Sequence, residues 1–368
     1  MTSVSSENTG YITVEIEEEL DINFMLLEVK NAIDRVPSYP TGMEPLVVYK
    51  QEPQRSTINF ALTAENKTLL ELKKIGRQIE NELRSIPGIS QISVSGYPDE
   101  EIEIMHKAAK LASDAHIEGI IRTYPGIGEW EIQSIIESYF SKNQSCPSYS
   151  SIVGGGDNGT ILHYNSNNMI INDGDLVLVD AGCEISGYAS DITRTWPVSG
   201  KFSEAQREIY DLVLKAEKAA IEACVVGSPW SAMHHASSKV LAQGLINLGI
   251  LECSLEEALG KNYDGPYRKF FMHGTGHMLG LDVHDVGGGR QGDKGPERLL
   301  AHGMVLTVEP GLYFGSWRSD ISVPERYSGI GIRIEDDVLV TDGGPIILTS
   351  SCPKEISDIE DLVGQKNE

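Results

Sequence analysis

The N-terminal quarter of the chain carries a short alternation of apolar and polar residues that predicts a small mixed domain. Strands are predicted at 11–17, 46–49, 58–62 and 89–94, and helices with one apolar face at 22–36 and 72–86. The order β-α-β-β-α-β is that of a ferredoxin-like split βαβ domain over residues 11–97. Residues 1–10, which are mostly small and polar, are predicted to be disordered.

From residue 98 onward, longer helical periodicities alternate with short apolar runs. Helices are predicted at about 98–116, 129–140, 203–224 and 230–248, and strands at about 176–179, 192–196, 304–308 and 330–334. The third helix opens with Ser203 and has Gln206 three residues later, which is the signature of a capping box. Helices mixed with antiparallel strands indicate an α+β domain over residues 98–364.

Composition narrows the classes of function. The 368 residues contain 30 Lys+Arg against 54 Asp+Glu, and the resulting net charge of -24 disfavours binding to nucleic acid. No apolar run approaches the roughly 20 residues of a membrane span, so no membrane partner is expected. The five cysteines are widely spaced and form no CxxC pair, which fits free thiols in a reducing compartment. These features together predict a cytoplasmic protein.

Residues 154–159 match the glycine pattern of dinucleotide-binding loops. That fingerprint requires a helix directly after the glycines. A strand-like run at 160–164 follows here instead, so the glycines are interpreted as a loop that positions His163.

Two aspartates flank a predicted hairpin. Asp180 ends the apolar run 176–179, Asp191 begins the next strand, and the turn is placed at Ile185-Ser186. In that register the two aspartates lie directly opposite each other, with Cβ atoms about 5 Å apart. Two buried carboxylates repel each other at this distance, so the arrangement indicates divalent cations between them. Solvated aspartates beside a turn are the simpler alternative for this pair taken alone.

Further candidate ligands follow in the second half of the chain. His273, His277 and His284 are three of the nine histidines and fall within twelve residues. Glu309 ends a strand-like run, and Glu335 lies two residues after Arg333, on the same face of a predicted strand. Four carboxylates and one histidine form an oxygen-rich set that suits Mn²⁺, Co²⁺ or Mg²⁺ better than structural zinc.

The blocks VDAGCEISGYASDITRTWP, MHGTGHMLGLDVHDVG, MVLTVEPGLYF and GIGIRIEDD resemble the signature motifs of the M24B metallopeptidases. The resemblance is closest to the bacterial aminopeptidase P (Xaa-Pro aminopeptidase) group and covers about residues 98–364. It implies the pita-bread fold of creatinase and methionine aminopeptidase, with two divalent metal ions, Mn²⁺ before Co²⁺ or Zn²⁺. The implied metal ligands are Asp180, Asp191, His277, Glu309 and Glu335, and the implied substrate or second-layer residues are His163, His284, His273, Tyr313 and Arg333.

The reaction implied by this resemblance is hydrolysis of the bond between an N-terminal residue and a following proline. A metal-bridging water is the expected nucleophile, with His163, His284 and Glu309 as catalytic residues. Peptides with proline at the second position are the expected partners. A prolidase, which cleaves Xaa-Pro dipeptides only, is the alternative within the class.

Residues 11–96 resemble the porter subdomain of resistance-nodulation-division efflux pumps, through the patterns at 21–40 and 72–96. Members of the peptidase family normally carry a creatinase-type domain at this place, and that domain contributes to their oligomers. A homo-oligomer is therefore a weaker expectation for this chain than for the family. A catalytically inactive chimera of a porter fragment and a peptidase domain is the second alternative.

Overall fold

The structure, a computed structural model, describes residues 2–6, 9–13, 99–285, 287, 289 and 296–365. The chain divides into two compact units, Met1–Ile92 and Ser93–Glu368. In the first unit, strands β1 (Thr2–Ser6) and β2 (Thr9–Thr13) pair antiparallel. This differs from the disorder expected for residues 1–10, and the threonines in both strands favour extended pairing. The remainder of the predicted ferredoxin-like domain over 11–97 lies outside the described residues.

Six α-helices are described in the second unit, and they include the four that were predicted. They are α1 (Asp99–Ile121), α2 (Glu129–Lys142), α3 (Glu204–Glu222), α4 (Ser231–Asn247), α5 (Leu255–Leu259) and α6 (Ile356–Leu362). The capping box before α3 is confirmed, since Ser203 Oγ accepts from the Gln206 backbone and the Gln206 side chain accepts from the Ser203 backbone. Within the described ranges, no helix has the length and apolar character needed to cross a membrane.

The strands described in this unit form four small antiparallel sheets. They are β3 (Cys146–Pro147), β4 (Ile152–Gly155), β5 (Leu176–Asp180), β6 (Cys183–Ile185), β7 (Tyr188–Ala189), β8 (Thr193–Pro197), β9 (Val305–Val308), β10 (Gly311–Tyr313), β11 (Gly331–Arg333), β12 (Asp336–Leu339) and β13 (Ile346–Ile347). Their orders are β4-β5-β8, β3-β6-β7, β13-β12-β9 and β10-β11. All four predicted strands form within about a residue of their expected limits, so the α+β architecture is confirmed.

The core lies between the helices and the sheet β4-β5-β8. Ala108, Ala112 and Ala115 form a small-residue stripe on α1 at helical spacing, and all three are fully buried in the main apolar cluster. Trp196 on β8 is also fully buried, and its Nε1 donates to Thr123 Oγ1 at 3.0 Å just beyond α1. This packing fixes β5, which ends at Asp180, and β8, which begins two residues after Asp191.

The glycine-rich segment packs closely against a neighbouring strand. Strand β4 runs into the first two glycines, and a 3-10 helix over Gly156–Thr160 follows. The strand expected at 160–164 does not form, because a bend and a turn occupy 161–163. A Cβ atom on Gly331 would lie 2.2 Å from the Gly159 carbonyl oxygen, so this turn packs directly against β11. The chain then continues through a turn that carries His163.

A buried histidine on α1 makes stability depend on pH. His116 is fully buried, its Nδ1 lies 2.9 Å from the Ala112 carbonyl oxygen, and burial lowers its pKa to about 4 from an ordinary 6.5. In the unfolded chain this histidine binds a proton more tightly, so its contribution to stability is complete above pH 6.5. That contribution is lost as the pH falls toward 4.

We therefore expect the His116→Gln variant to show a flatter pH profile of stability than the parent chain. Between pH 7 and pH 4 the free energy of unfolding of the parent should fall by about 3 kcal/mol more than that of the variant. Urea unfolding monitored by circular dichroism at several pH values measures the difference. Parallel profiles for the two proteins would show that His116 does not titrate differently on folding.

Candidate metal centre

Asp180 and Asp191 are brought together by a hairpin whose register differs from the predicted one. The turn lies at Ser186-Gly187, where φ is +54° and +85°, and Glu184 pairs with Ala189. Left-handed conformations at both central residues are typical of a two-residue hairpin turn, and glycine suits the second position. Asp180 therefore pairs with Thr193, and the predicted pairing with Asp191 is wrong. The shift is two residues, an even number, so Asp191 keeps the same face of the ribbon.

A tyrosine that sequence reasoning missed joins these two aspartates. The hydroxyl oxygen of Tyr149 lies 2.5 Å from Asp180 Oδ1 and 2.5 Å from Asp191 Oδ1. Burial and the two neighbouring carboxylates raise the pKa of Tyr149 well above its ordinary value, which keeps the phenol protonated. Its single proton serves one carboxylate at a time. Tyr149 follows β3 in a loop with no motif of its own, so only the folded chain reveals it.

His277 and Glu309 are placed by backbone pairing between their two segments. The backbone N–H of Thr307 donates to the His277 carbonyl at 2.9 Å, and that of Glu309 donates to the Thr275 carbonyl at 2.8 Å. His277 Nδ1 lies 3.1 Å from the Met278 carbonyl, so this nitrogen is the donor and Nε2 faces the carboxylates. Nε2 lies 3.4 Å from Asp191 Oδ2 and 3.7 Å from Glu309 Oε1.

Glu335 is held through a threonine on β8. Thr193 Oγ1 donates to Glu335 Oε2 at 2.6 Å and accepts from Arg333 Nε at 2.9 Å. The prediction that Arg333 and Glu335 share a face is confirmed, since both side chains reach the same hydroxyl group. Arg333 also donates to Asp180 Oδ2 at 2.5 Å, so one guanidinium supports two of the predicted ligands.

A chain of hydrogen bonds leads from Arg333 to His273. Arg333 Nη1 donates to the Tyr313 hydroxyl at 3.1 Å, and His273 Nε2 lies 2.8 Å from the same oxygen. Burial and the charge of Arg333 lower the pKa of His273 to about 3, so its ring is neutral. The structure thus brings together all three residues expected behind the ligands.

The carboxylates of the cluster are poorly compensated by protein groups alone. Burial is the first cause that raises the pKa of Asp180 to about 6, although Arg333 opposes it. Burial likewise raises the pKa of Glu309 to about 7, and Glu335 is raised well above its ordinary value by burial and by Asp191. Among the described residues, four acidic groups therefore share one site with the guanidinium of Arg333.

This donor set fits divalent cations. One ligand atom from each of Asp191, His277 and Glu335 lies within 4.8 Å of the others, while Asp180 and Glu309 border the same space. Oxygen donors with one imidazole suit hard or borderline divalent ions. Near His277, burial alone would lower the imidazole pKa, but Asp191 and Glu309 raise it to about 9, which shows how negative the site is.

His284 and His163 lie at the exposed side of the cluster. The rings of His277 and His284 meet edge to face with centroids 4.3 Å apart. Burial and the charges of His277 and His163 lower the pKa of His284, so His163 is close enough to act on it electrostatically. Both His163 and His284 are exposed and available to a ligand.

Two further residues support the ligands and were not singled out from the sequence. Thr193 supplies the hydroxyl group that donates to Glu335. Asp337 Oδ2 accepts from the backbone N–H of Asp191 at 3.2 Å. Asp337 belongs to the acidic run that follows Glu335, and this run was the available signal. Thr193 carried no signal apart from its place two residues after Asp191.

Comparison with curated proteins finds Xaa-Pro aminopeptidases. The chain is 49% identical over 280 residues to the Xaa-Pro aminopeptidase of Haemophilus influenzae. This alignment covers 75% of this chain and 62% of that relative. It is 40% identical over 348 residues to the Xaa-Pro aminopeptidase of Escherichia coli, covering 93% of this chain and 73% of the relative. The chain thus spans between three fifths and three quarters of the length of these two relatives.

Solved structures of the same kind match the fold. Escherichia coli aminopeptidase P with the inhibitor Pro-Leu superposes with a TM-score of 0.67 at 45% identity, over 72% of this chain and 58% of that one. Pseudomonas aeruginosa aminopeptidase PepP gives a TM-score of 0.70 at 39% identity, over 82% and 68% of the respective chains. The predicted pita-bread fold is confirmed by these neighbours.

Two family models match the chain. Residues 1–115 match the AcrB/AcrD/AcrF family, which confirms the resemblance of the N-terminal part to efflux-pump sequences. Residues 103–342 match Metallopeptidase family M24 and include every residue of the metal centre. The chain therefore belongs to metallopeptidase family M24.

Proposed function

We propose that this chain is a dinuclear-metal aminopeptidase that hydrolyses the bond between an N-terminal residue and a following proline. The observation that carries the proposal is the convergence of four carboxylates and one imidazole on one site, in a family of metallopeptidases. Preference for proline is supported by the relatives, which are named Xaa-Pro aminopeptidases. Peptides with proline at the second position are the proposed substrates.

In this proposal the metal ligands are Asp180, Asp191, His277, Glu309 and Glu335. The oxygen-rich set favours Mn²⁺, with Co²⁺ and Zn²⁺ as alternatives. Divalent cations held there supply Lewis-acid activation of a water nucleophile and of the scissile carbonyl.

The side chains around the ligands have separate tasks. Glu309, whose carboxylate borders the site, accepts a proton from the nucleophile and returns it to the leaving proline nitrogen. His284 stands exposed beside His277 and donates a hydrogen bond to the developing oxyanion. His163, on the neighbouring turn, binds the substrate backbone.

The hydrogen-bonded chain behind the ligands keeps them in place. Arg333 orients Asp180 directly and Glu335 through Thr193. Tyr313 connects Arg333 to His273 and so links the ligands to the wall of the substrate pocket.

The organisation of the chain follows from the same proposal. Residues 98–364 form the peptidase domain, and residues 11–97 form a porter-type domain after a short N-terminal segment. The acidic charge disfavours nucleic-acid partners, the lack of a long apolar run disfavours membrane partners, and the widely spaced cysteines favour a cytoplasmic setting. A homo-oligomer is less expected than in the family, because a porter-type segment replaces the domain that contributes to the family's oligomers.

Hydrolysis of a Xaa-Pro-Xaa tripeptide by the purified chain tests the proposal. With added Mn²⁺ we expect release of the first residue, and we expect Asp191→Ala to reduce the rate at least about 100-fold, because one of the five proposed metal ligands is lost. Asp342→Ala, which removes an exposed aspartate, is the matched control and should leave the rate unchanged.

Three other outcomes have distinct meanings. Cleavage of Xaa-Pro dipeptides but not of tripeptides would assign the chain to the prolidases. Cleavage of Xaa-Ala-Xaa at the same rate as Xaa-Pro-Xaa would show that the chain does not prefer proline. No turnover by folded protein that has bound Mn²⁺ would support the inactive chimera and contradict the proposal.

A pair of threonine variants tests how Glu335 is held. Thr193→Val leaves Glu335 Oε2 and Arg333 Nε without their shared partner, and we expect a loss of about 1–3 kcal/mol in unfolding free energy and weaker Mn²⁺ binding. Thr195→Val also removes a buried hydroxyl on β8, but that hydroxyl contacts only the Arg333 backbone. Isothermal titration with Mn²⁺ should therefore separate the two variants, and equal affinities would argue against the role of Thr193.

A further inference from the structure

The reverse face of β8 carries a guanidinium that binds no predicted ligand side chain. Arg194 is fully buried and points away from Thr193 and Thr195, because side chains alternate along a strand. Its nitrogen atoms donate to five acceptors: the carbonyls of Thr193 (3.0 Å), Glu335 (2.5 Å), Cys352 (2.9 Å) and Pro353 (3.1 Å) and the carboxylate of Asp336 (2.7 Å). Every donor nitrogen of this side chain is thereby used.

Two of these contacts bear on the metal centre. Arg194 Nη1 bridges the carbonyl oxygens of Thr193 and Glu335, and the backbone N–H of Glu335 donates to the same Thr193 carbonyl at 3.1 Å. The backbone of Glu335 is thus held on both sides of its Cα atom. The Glu335 side chain meets the Thr193 hydroxyl on the opposite face of the strand.

We call the contacts of Arg194 Nη1 with the carbonyls of Thr193 and Glu335 the backbone clamp. The other contacts of Arg194 connect this clamp to the C-terminal segment. Asp336 accepts from Thr349 Oγ1 at 2.6 Å and from Lys354 Nζ at 2.5 Å. Lys354 also donates to Glu217 on α3 at 2.5 Å. Arg194, Lys354, Asp336 and Glu217 therefore form one buried network, in which burial and the charge of Asp336 raise the pKa of the Glu217 carboxyl well above its ordinary value.

We infer that Arg194 is a positioning residue for metal binding, which acts by fixing the backbone of Glu335. The inference rests on the proposed ligand role of Glu335. Four repelling carboxylates tend to move apart before cations enter, and a backbone clamp on one of them opposes this movement. The affinity for metal should depend on the clamp more than on the remainder of the network.

Arginine and lysine differ in the property that matters at this site. A lysine at position 194 keeps the positive charge opposite Asp336, but its single nitrogen cannot reach the carbonyls of Glu335, Cys352 and Pro353 together. Arg194→Lys therefore removes the clamp and retains the charge. Lys354→Gln is the matched control, because it breaks the same network without touching Thr193 or Glu335.

The test is titration of metal-free chain with Mn²⁺ by calorimetry, together with the visible spectrum of the Co²⁺ form, well below the melting temperature of each variant. We expect Arg194→Lys to weaken Mn²⁺ binding about 10–100-fold and to alter the Co²⁺ bands, as loss of a residue behind the ligands does elsewhere. Lys354→Gln should lose thermal stability while its Mn²⁺ affinity changes less than about threefold. If Arg194→Lys does not fold, Arg194→Gln is titrated in its place, and the same loss of Mn²⁺ affinity is expected.

The failures of this inference and of the proposed function are distinguishable. Unchanged Mn²⁺ affinity in folded Arg194→Lys, or an equal loss in Lys354→Gln, overturns the positioning role while the ligand set stands. Absence of binding to the parent chain, or binding that survives in Asp191→Ala, overturns the ligand set and the positioning role with it.

Discussion

Mutual repulsion among buried carboxylates is the constraint on which the second unit depends. Asp180, Asp191, Glu309 and Glu335 come from four separate segments and converge on one imidazole. Protein groups offset this charge only in part: the compensating groups are one guanidinium, the Tyr149 phenol, the Thr193 hydroxyl and the His277 imidazole. Desolvated like charges are costly unless cations are present. The fold therefore supplies rigid strands, small-residue packing and a buried ionic network behind them, which hold the ligands in a geometry that they would not keep by themselves.

Much of this site could be predicted, because its ligands lie in short segments whose structure is determined locally. Asp180 and Glu309 each end an apolar run, and such runs form strands wherever both faces are buried. The helices of the second unit have clear apolar faces and a capping signature at Ser203. The resemblance to the M24 motifs then supplied the five proposed ligands, and the structure brings these five side chains together.

What could not be predicted depends on contacts between distant segments. The register of the hairpin was misplaced because the turn is selected by the backbone conformation of Ser186 and Gly187, and not by the centre of the loop. Tyr149 precedes Asp180 by 31 residues and lacks a motif, so its place between two aspartates appears only after folding. Arg194 belongs to no motif that marks it as special. Its contacts with the carbonyls of Cys352 and Pro353 form only when the C-terminal segment packs against β8. The predicted ferredoxin-like domain lies outside the described residues and stays a prediction.

The central claim is that the carboxylate cluster exists to hold two divalent cations, and metal stoichiometry tests it most directly. Native mass spectrometry of metal-free chain titrated with Mn²⁺ counts the bound ions without reference to any substrate. The account predicts saturation at two ions per chain, with a melting temperature that rises as the sites fill. Saturation at no ion, or an ion count unaffected by replacing Asp191 and Glu335 together with alanine, would contradict it.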